Sequence, residues 1–169
     1  MENRTVSEIF TPHNGDEQSD ERPRLVLDTN TVLALWMFRD PALAALREWI
    51  EAGGCRLYSR ADALEELRRV LAYRQFGLDE PTQARILHAY LERTLNAADH
   101  SPLPAALPDL PRCRDEDDQK FLEIAQASAA DYLLTRDKAL LRLRRHPAMR
   151  THCTIERPEA FQAPTVSSD

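Results

Sequence analysis

The sequence is poor in the residues that build thiol and imidazole sites. Its three cysteines, Cys55, Cys113 and Cys153, are odd in number and far apart. They make neither a disulfide framework nor a CxxC metal pair, and they read as buried or idle thiols. The five histidines, His13, His88, His100, His146 and His152, are equally scattered. No HxxxH or HExxH spacing occurs, which argues against a zinc site. Aromatic residues make up only 7% of the chain, and no internal repeat is present. The longest apolar run, Thr31 to Phe38, falls well short of the ~20 residues that cross a bilayer. Met1 to Arg24 is polar and acidic where a signal peptide would be basic and then apolar. No membrane partner and a cytoplasmic location are therefore expected.

What is present is enough for one domain. A chain of 169 residues with abundant Leu and Ala can bury a real core. The formal charge of −6 at first argues against a nucleic-acid partner, but it is unevenly spread. Residues 1–22 hold six acids against Arg4 and Arg22, a net of −4, which leaves only −2 for the remainder. The cations of that remainder are nearly all arginine, the residue suited to bidentate phosphate contact. Residues 1–22 read as a flexible acidic tail, 23–162 as the folded domain and 163–169 as a disordered end.

The chain is organised around Leu25-Val26-Leu27-Asp28-Thr29-Asn30. An apolar run bounded by polar residues fits a strand buried on both faces. The polar cluster at its end would lie at the carboxyl edge of a parallel sheet, where open α/β sheets place ligands. Equally, Asp28 or Thr29 could simply cap the next helix; on this stretch alone the two readings stand even. Beyond it, helices are expected over Thr31–Phe38, Ala42–Ala52 (ended by Gly53-Gly54), Ala61–Tyr73 (capped by Ser59), Pro81–Leu95, Asp115–Ala129 and Lys138–Arg145. Strands are expected at Cys55–Tyr58, Tyr132–Thr135 and Cys153–Ile155. Ala97–Pro111, with four prolines, reads as a loop that can hold a short edge strand. Strands alternating with helices give an α/β fold with a mostly parallel sheet and helices on both faces.

Helical geometry separates informative acids from ordinary ones. At 100° per residue, Ala63, Leu64, Leu67, Val70 and Leu71 form one stripe of the Ala61–Tyr73 helix. Glu65 falls on the opposite face, whereas Glu66 sits at the edge of the stripe and can reach a cleft. In the Asp115–Ala129 helix the apolar face is Phe121, Leu122, Ala125 and Ala129. Asp118 falls in its middle, with Asp115 and Asp117 nearer its margins. Dipole preference explains acids in a first turn but not one centred on an apolar stripe, where an unpaired carboxylate is costly. Leu133-Leu134-Thr135-Arg136-Asp137 repeats the opening pattern of strand, hydroxyl and carboxylate. If the two strands are parallel neighbours, Asp28 and Asp137 emerge at one sheet edge, where Asp118 and Glu66 could join them. Four hard oxygen ligands without His or Cys match Mg²⁺ or Mn²⁺. Such a metal would activate water and steady phosphate charge, with Asn30 and Thr135 holding the carboxylates in place.

At this point the chain resembles the PIN-domain family. The resemblance is carried by LVLDTN at the first strand, ELRRVL on the helix after the second strand, RDEDDQKFLEIA at the acidic helix and ADYLLTRDKALL at the late strand. A fainter match lies in IERPEAF. More narrowly, it is similar to the subfamily of toxin components of bacterial toxin–antitoxin systems. The resemblance implies a three-layer α/β/α fold and a Mg²⁺- or Mn²⁺-dependent endoribonuclease leaving 5′-phosphate and 3′-hydroxyl ends. It implies Asp28, Glu66, Asp118 and Asp137 as catalytic, metal-holding acids, with Asp115 and Asp117 as additional acids and Asn30 and Thr135 as helpers. A homodimer and a small antitoxin protein are implied as partners. Arg68, Arg69, Arg136, Arg142, Arg144 and Arg145 are candidate contacts to RNA phosphates, which position a strand without reading its sequence.

Two alternatives remain at this level. Leu25–Leu33 also resembles the first motif of haloacid-dehalogenase-type phosphatases, although Asn30 stands where those enzymes usually carry a second acid. A non-catalytic, protein-binding module on a PIN scaffold is the other, and the four filled acid positions speak against it.

Overall fold

The structure, a computed structural model, describes residues 20–100 and 109–164. Five short strands form one sheet: β1 (Arg24–Leu27), β2 (Arg56–Ser59), β3 (Thr94–Asn96), β4 (Tyr132–Leu134) and β5 (Thr154–Glu156). Their order is β3-β2-β1-β4-β5, and every neighbouring pair is parallel. Seven α-helices are present among the described residues. They are α1 (Thr29–Val32), α2 (Ala44–Glu51), α3 (Ala61–Leu71), α4 (Glu80–Leu91), α5 (Gln119–Ala127), α6 (Lys138–Arg142) and α7 (Pro147–Arg150). The three-layer α/β/α architecture expected from the sequence is the one observed, with the sheet parallel throughout.

The pleat explains the layers. Alternate side chains of a strand point to opposite faces, so Leu25 and Leu27 of β1 enter one core and Val26 enters the other. The first core packs Leu57 with Leu33 and Leu35, Leu46 and Ile50 of α2, Leu64 and Leu67 of α3, and Tyr90 of α4. The second packs Tyr58, Leu133 and Ile155 with Phe121, Leu122 and Ile124 of α5, Leu140 of α6 and Met149 of α7. All three cysteines are buried and free, as their spacing suggested.

Several elements differ from the sequence expectation for identifiable reasons. The first helix does not continue as α but passes into a π-helical stretch, Leu33–Met37, closed by Phe38 N–H on Leu33 O at 2.8 Å. The fourth helix ends at Leu91 rather than Leu95. The Thr94 hydroxyl there turns back onto Tyr90 O (2.6 Å), and Leu95 belongs to the edge strand β3. Ser59 does not cap α3; it is a buried β2 residue hydrogen-bonded to the Tyr90 side chain, and Arg60 is the N-cap. The acidic segment starts as a 3-10 turn, Glu116–Asp118, before α5 proper. Ala129 lies past that helix, exposed and at φ 49°, and Ile124 fills the core in its place. The short α7 has no counterpart in the sequence reading.

Gly53-Gly54 does end α2 as expected. Gly53 sits at φ 82°, and a Cβ on Gly54 would come within 2.2 Å of the Trp49 indole. Most of the expected acidic tail lies outside the described residues. Its last part touches the domain, with Asp20 paired to Arg22 and Arg56, and Arg22 bonded to Gly53 O (3.1 Å).

Candidate active site

In a parallel sheet all carboxyl ends face one edge. With the order β3-β2-β1-β4-β5 the strands are added in one direction from β1 to β3 and in the other from β4 to β5, so the switch-point crevice opens between β1 and β4. Asp28 follows β1 at this crevice and is buried, only 3% exposed. The register pairs Leu27 with Leu134, which sets the next residues, Asp28 and Thr135, side by side. The Thr135 hydroxyl donates to Asp28 Oδ2 at 2.5 Å, and the Thr31 backbone N–H donates to Asp28 Oδ1 at 2.9 Å. Thr31 is itself fixed by its hydroxyl on Leu134 O (3.1 Å). Asp28 therefore both caps α1 and presents a carboxylate in the crevice; the two readings of the opening stretch are compatible. Burial pushes its pKa above the ordinary value despite those hydrogen bonds, and the Asp137 charge adds to the rise.

Asp137 stands two residues beyond Thr135. Its N–H donates to the Thr135 hydroxyl (2.9 Å), and its Oδ1 caps α6 by accepting from Ala139 and Leu140 N–H (2.8 and 3.1 Å). Thr135 thus links the two strand-end acids. Glu66, half-buried on α3, accepts from the Thr29 hydroxyl at 2.7 Å and lies 3.4 Å from Lys120 Nζ.

The acidic turn supplies the fourth group. Of its four acids only Asp118 is partly buried; Asp115, Glu116 and Asp117 are exposed. The Asp115 carboxylate accepts from Asp117 N–H (3.0 Å) and starts the turn, while Asp118 makes no capping bond. The Asp118 pKa is pushed up to about 7, first by desolvation and then by the charges of Asp137, Asp115, Asp28 and Glu66. The fold thus brings Asp28, Glu66, Asp118 and Asp137 into one electrostatic cluster with Asp115 at its margin. Asp117 contributes its backbone carbonyl, which receives Lys120 Nζ at 2.6 Å.

Asn30 is exposed on α1, and among the described residues it makes no hydrogen bond to these carboxylates; the hydroxyls of Thr29 and Thr135 and the Thr31 amide do that work. Thr29, Thr31 and Lys120 are the members the sequence reading did not assign. Their signal was adjacency, since the two threonines flank Asn30 and Lys120 follows Asp118 by two. Of the candidate phosphate contacts, Arg136 is engaged with Asp40 and Glu159, and Arg68 lies 3.9 Å from Glu65. Arg69 is exposed. Arg142, Arg144 and Arg145 line an open concavity of about 550 Å³ together with Lys138, Leu141 and Arg157. Among the described residues no acid lines it, and Lys138 is the residue after Asp137.

The donor set fits a hard divalent cation in its chemistry: carboxylates only, Asp28 desolvated, Asp118 pushed up to about 7 by burial and then by neighbouring carboxylates, with Lys120 paired to Glu66. The acids are not closed into a ready ligand set, for no group of three or more His, Cys, Asp or Glu among the described residues stands at ligating geometry.

Fold and site together define a doubly wound α/β domain with an acidic cluster at its switch point. Residues 24–139 match the model of the PIN domain, and the chain belongs to that family. Searches of curated proteins and of solved structures gave no match. PIN domains are typically nucleases, so membership supports a hydrolase acting on nucleic acid. Among the described residues no helix is long and apolar enough to cross a membrane.

Proposed function

We propose that the chain is a Mg²⁺- or Mn²⁺-dependent endoribonuclease, working as the toxin of a type II toxin–antitoxin module. The observation that carries the nuclease reading is the cluster itself: four carboxylates near one another at the switch point, with the Asp118 pKa pushed up to about 7 by burial and then by the charges of Asp137, Asp115, Asp28 and Glu66. Accumulating that much like charge costs stability unless a cation answers it.

Asp28, Asp118 and Asp137 would hold the metal, with Glu66 on the facing helix. When bound, a divalent cation supplies phosphate charge neutralisation and a water of lowered pKa. The protein's own part is positional. Thr135 and Thr31 fix both oxygens of Asp28, the α6 amides fix Asp137, and Thr29 with Lys120 fix Glu66. The scissile phosphate is oriented by cations of the 550 Å³ concavity that Lys138, the residue after Asp137, helps to line, with Arg142 at the end of α6 and Arg144 and Arg145 just after it. Arg136 acts differently from the others, tying the Asp40 turn and Glu159 to the sheet edge. A small antitoxin protein and a homodimer belong to the toxin reading.

A haloacid-dehalogenase-type phosphatase would require a general acid two residues beyond Asp28, and Asn30 stands there. A non-catalytic module would bind no Mn²⁺. The test is RNA cleavage by wild type and Asp28→Asn with Mn²⁺, Mg²⁺ or EDTA, alongside calorimetric Mn²⁺ titration. Cleavage retained in Asp28→Asn, or no Mn²⁺ heat, sinks the nuclease mechanism. Growth arrest on expression that persists with Asp28→Asn sinks the toxin role.

A further inference from the structure

Phe38, at 63% exposure, and Tyr73, at 45%, are the exposed large hydrophobics among the described residues, and they belong to one cluster. Phe76 lies between them, its ring 5.9 Å from Phe38 edge-on and 6.4 Å from Tyr73 with planes only 14° apart. Phe76 packs inward against the first core, so the pair of outer rings stands on a fixed base. Each outer ring is followed by an exposed arginine, Arg39 and Arg74, neither of which is ion-paired among the described residues.

The cluster is joined to the acidic site through both elements that carry it. Phe38 ends the π-helical stretch that grows out of Asp28 through α1. The following turn, with Arg39 at φ 50°, is clamped by Asp40 to Arg136, the residue before Asp137. Tyr73 lies seven residues after Glu66, two past the end of α3, and its N–H donates to Val70 O (3.0 Å) in the turn that closes the helix. Seven residues at a helical rise amount to ~10 Å along the axis. That span is a few nucleotides.

We infer that Phe38, Phe76 and Tyr73 form a base-stacking subsite for the nucleic-acid strand, with Arg39 and Arg74 contacting its phosphates. The inference rests on the nuclease reading above and adds a substrate contact to it. Exposed rings flanked by unpaired cations suit stacked bases on an anionic backbone, because every base offers a π-face. A protein partner fits less well. Rings of ~150–250 Å² at these exposures offer only about 160–270 Å² of aromatic surface, against roughly 800 Å² per partner in a stable interface. Asp79, the carboxylate nearest after Phe76 in sequence, is turned onto Thr82 N–H (2.9 Å) as the cap of α4.

The test is fluorescence anisotropy of a labelled ten-nucleotide single-stranded RNA on the full chain in EDTA, across salt concentration. F38L/Y73L keeps apolar surface and removes two rings. Stacking predicts roughly tenfold or greater loss of affinity with the salt slope unchanged, because no charge is removed, and near wild-type binding by Y73W. Affinity of F38L/Y73L equal to wild type overturns the inference while leaving RNA cleavage by wild type intact. A wild type that neither binds nor cleaves the RNA overturns the nuclease reading and the subsite with it. A drop in oligomeric mass of F38L/Y73L by light scattering assigns the rings to an interface between copies and also overturns it. Photocrosslinking of 5-iodouridine RNA to wild type needs no variant: crosslinks at Phe38, Tyr73 or Phe76 support the subsite, and crosslinks confined elsewhere overturn it.

Discussion

The two halves of the acidic site are built by different means. At the sheet edge, Asp28 and Asp137 are held by hydroxyls and backbone amides placed by strand register and helix starts. On the helical rim, Asp118 sits half-buried at the end of a 3-10 turn with no capping bond, and its proton affinity is raised by burial and then by neighbouring charge. The first half is a scaffold fixed by hydrogen bonds. The second is adjustable, and a cation would settle it.

The comparison predicts its largest effect at the sheet edge. Asp28→Asn removes charge and keeps shape, its amide oxygen still accepting from Thr31 N–H and its amide nitrogen facing the Thr135 oxygen, so metal-dependent RNA cleavage should fall more than about 100-fold. The protein should stay folded, with a melting temperature equal to or above wild type, because a desolvated charge has gone. Parallel cleavage assays and thermal melts check both halves of that expectation; an unfolded variant would mean the carboxylate is structural. Asp137 separates site from cap in the same way. Asp137→Asn keeps a good N-cap for α6, whereas Asp137→Ala loses about 1 kcal/mol with it. Both should lose cleavage, and only the alanine variant should melt early.

Thr135 comes next in size. It touches Asp28 and the Asp137 amide together, so Thr135→Val should lower Mn²⁺ affinity or activity about 10- to 100-fold. It should also destabilise by about 1–3 kcal/mol through unsatisfied buried partners. Thr135→Ser should recover most of both. Asn30→Ala, at an exposed position, should leave the melting temperature unchanged. Equal stability losses at Thr135 and Asn30 would erase the distinction between a brace and a surface group.

The same division explains what the sequence could tell. Strand-end acids are legible because an apolar run followed by a carboxylate has one geometric meaning in a parallel sheet, and Leu27↔Leu134 pairing then follows from aligning the two runs. Glu66 was legible because α3 is a regular helix whose stripe, Ala63, Leu64, Leu67 and Leu71, is buried as the 100° wheel requires. Asp118 is the partly buried one of four neighbouring acids, although the wheel that points to it does not hold, since the turn is 3-10 and Ala129 lies outside the helix. Of the bracing contacts, that of Thr135 is legible from the repeated pattern of strand, hydroxyl and carboxylate, whereas those of Thr29, Thr31 and Lys120 are not. Whether Asn30 or its threonine neighbours face the crevice depends on where α1 begins, and a one-residue shift rotates every side chain by 100°. The Phe38–Phe76–Tyr73 cluster was hidden for a related reason, because a π-helical stretch changes which side of the chain Phe38 leaves from.

The smallest effect probes the adjustable rim. Asp118 rises from 3.8 to about 7 in the folded protein. Between those values the folded state holds a proton that the unfolded chain releases. Stability therefore falls as pH rises through this window. Asp28, also raised, acts in the same direction. Asp20, Asp40, Asp62 and Asp79 are lowered, so their contributions are already complete above about pH 4 and do not offset the trend. Partial exposure of Asp118 reduces the size, and a fall of a few degrees in Tm between pH 5 and pH 8 is expected in EDTA. Asp118→Asn should flatten that slope, and Mn²⁺ at pH 8 should raise the wild-type Tm more than it raises the variant's. A wild-type Tm that is level across this range in EDTA would mean that Asp118 already has its countercharge within the chain, and the rim would then be as fixed as the sheet edge.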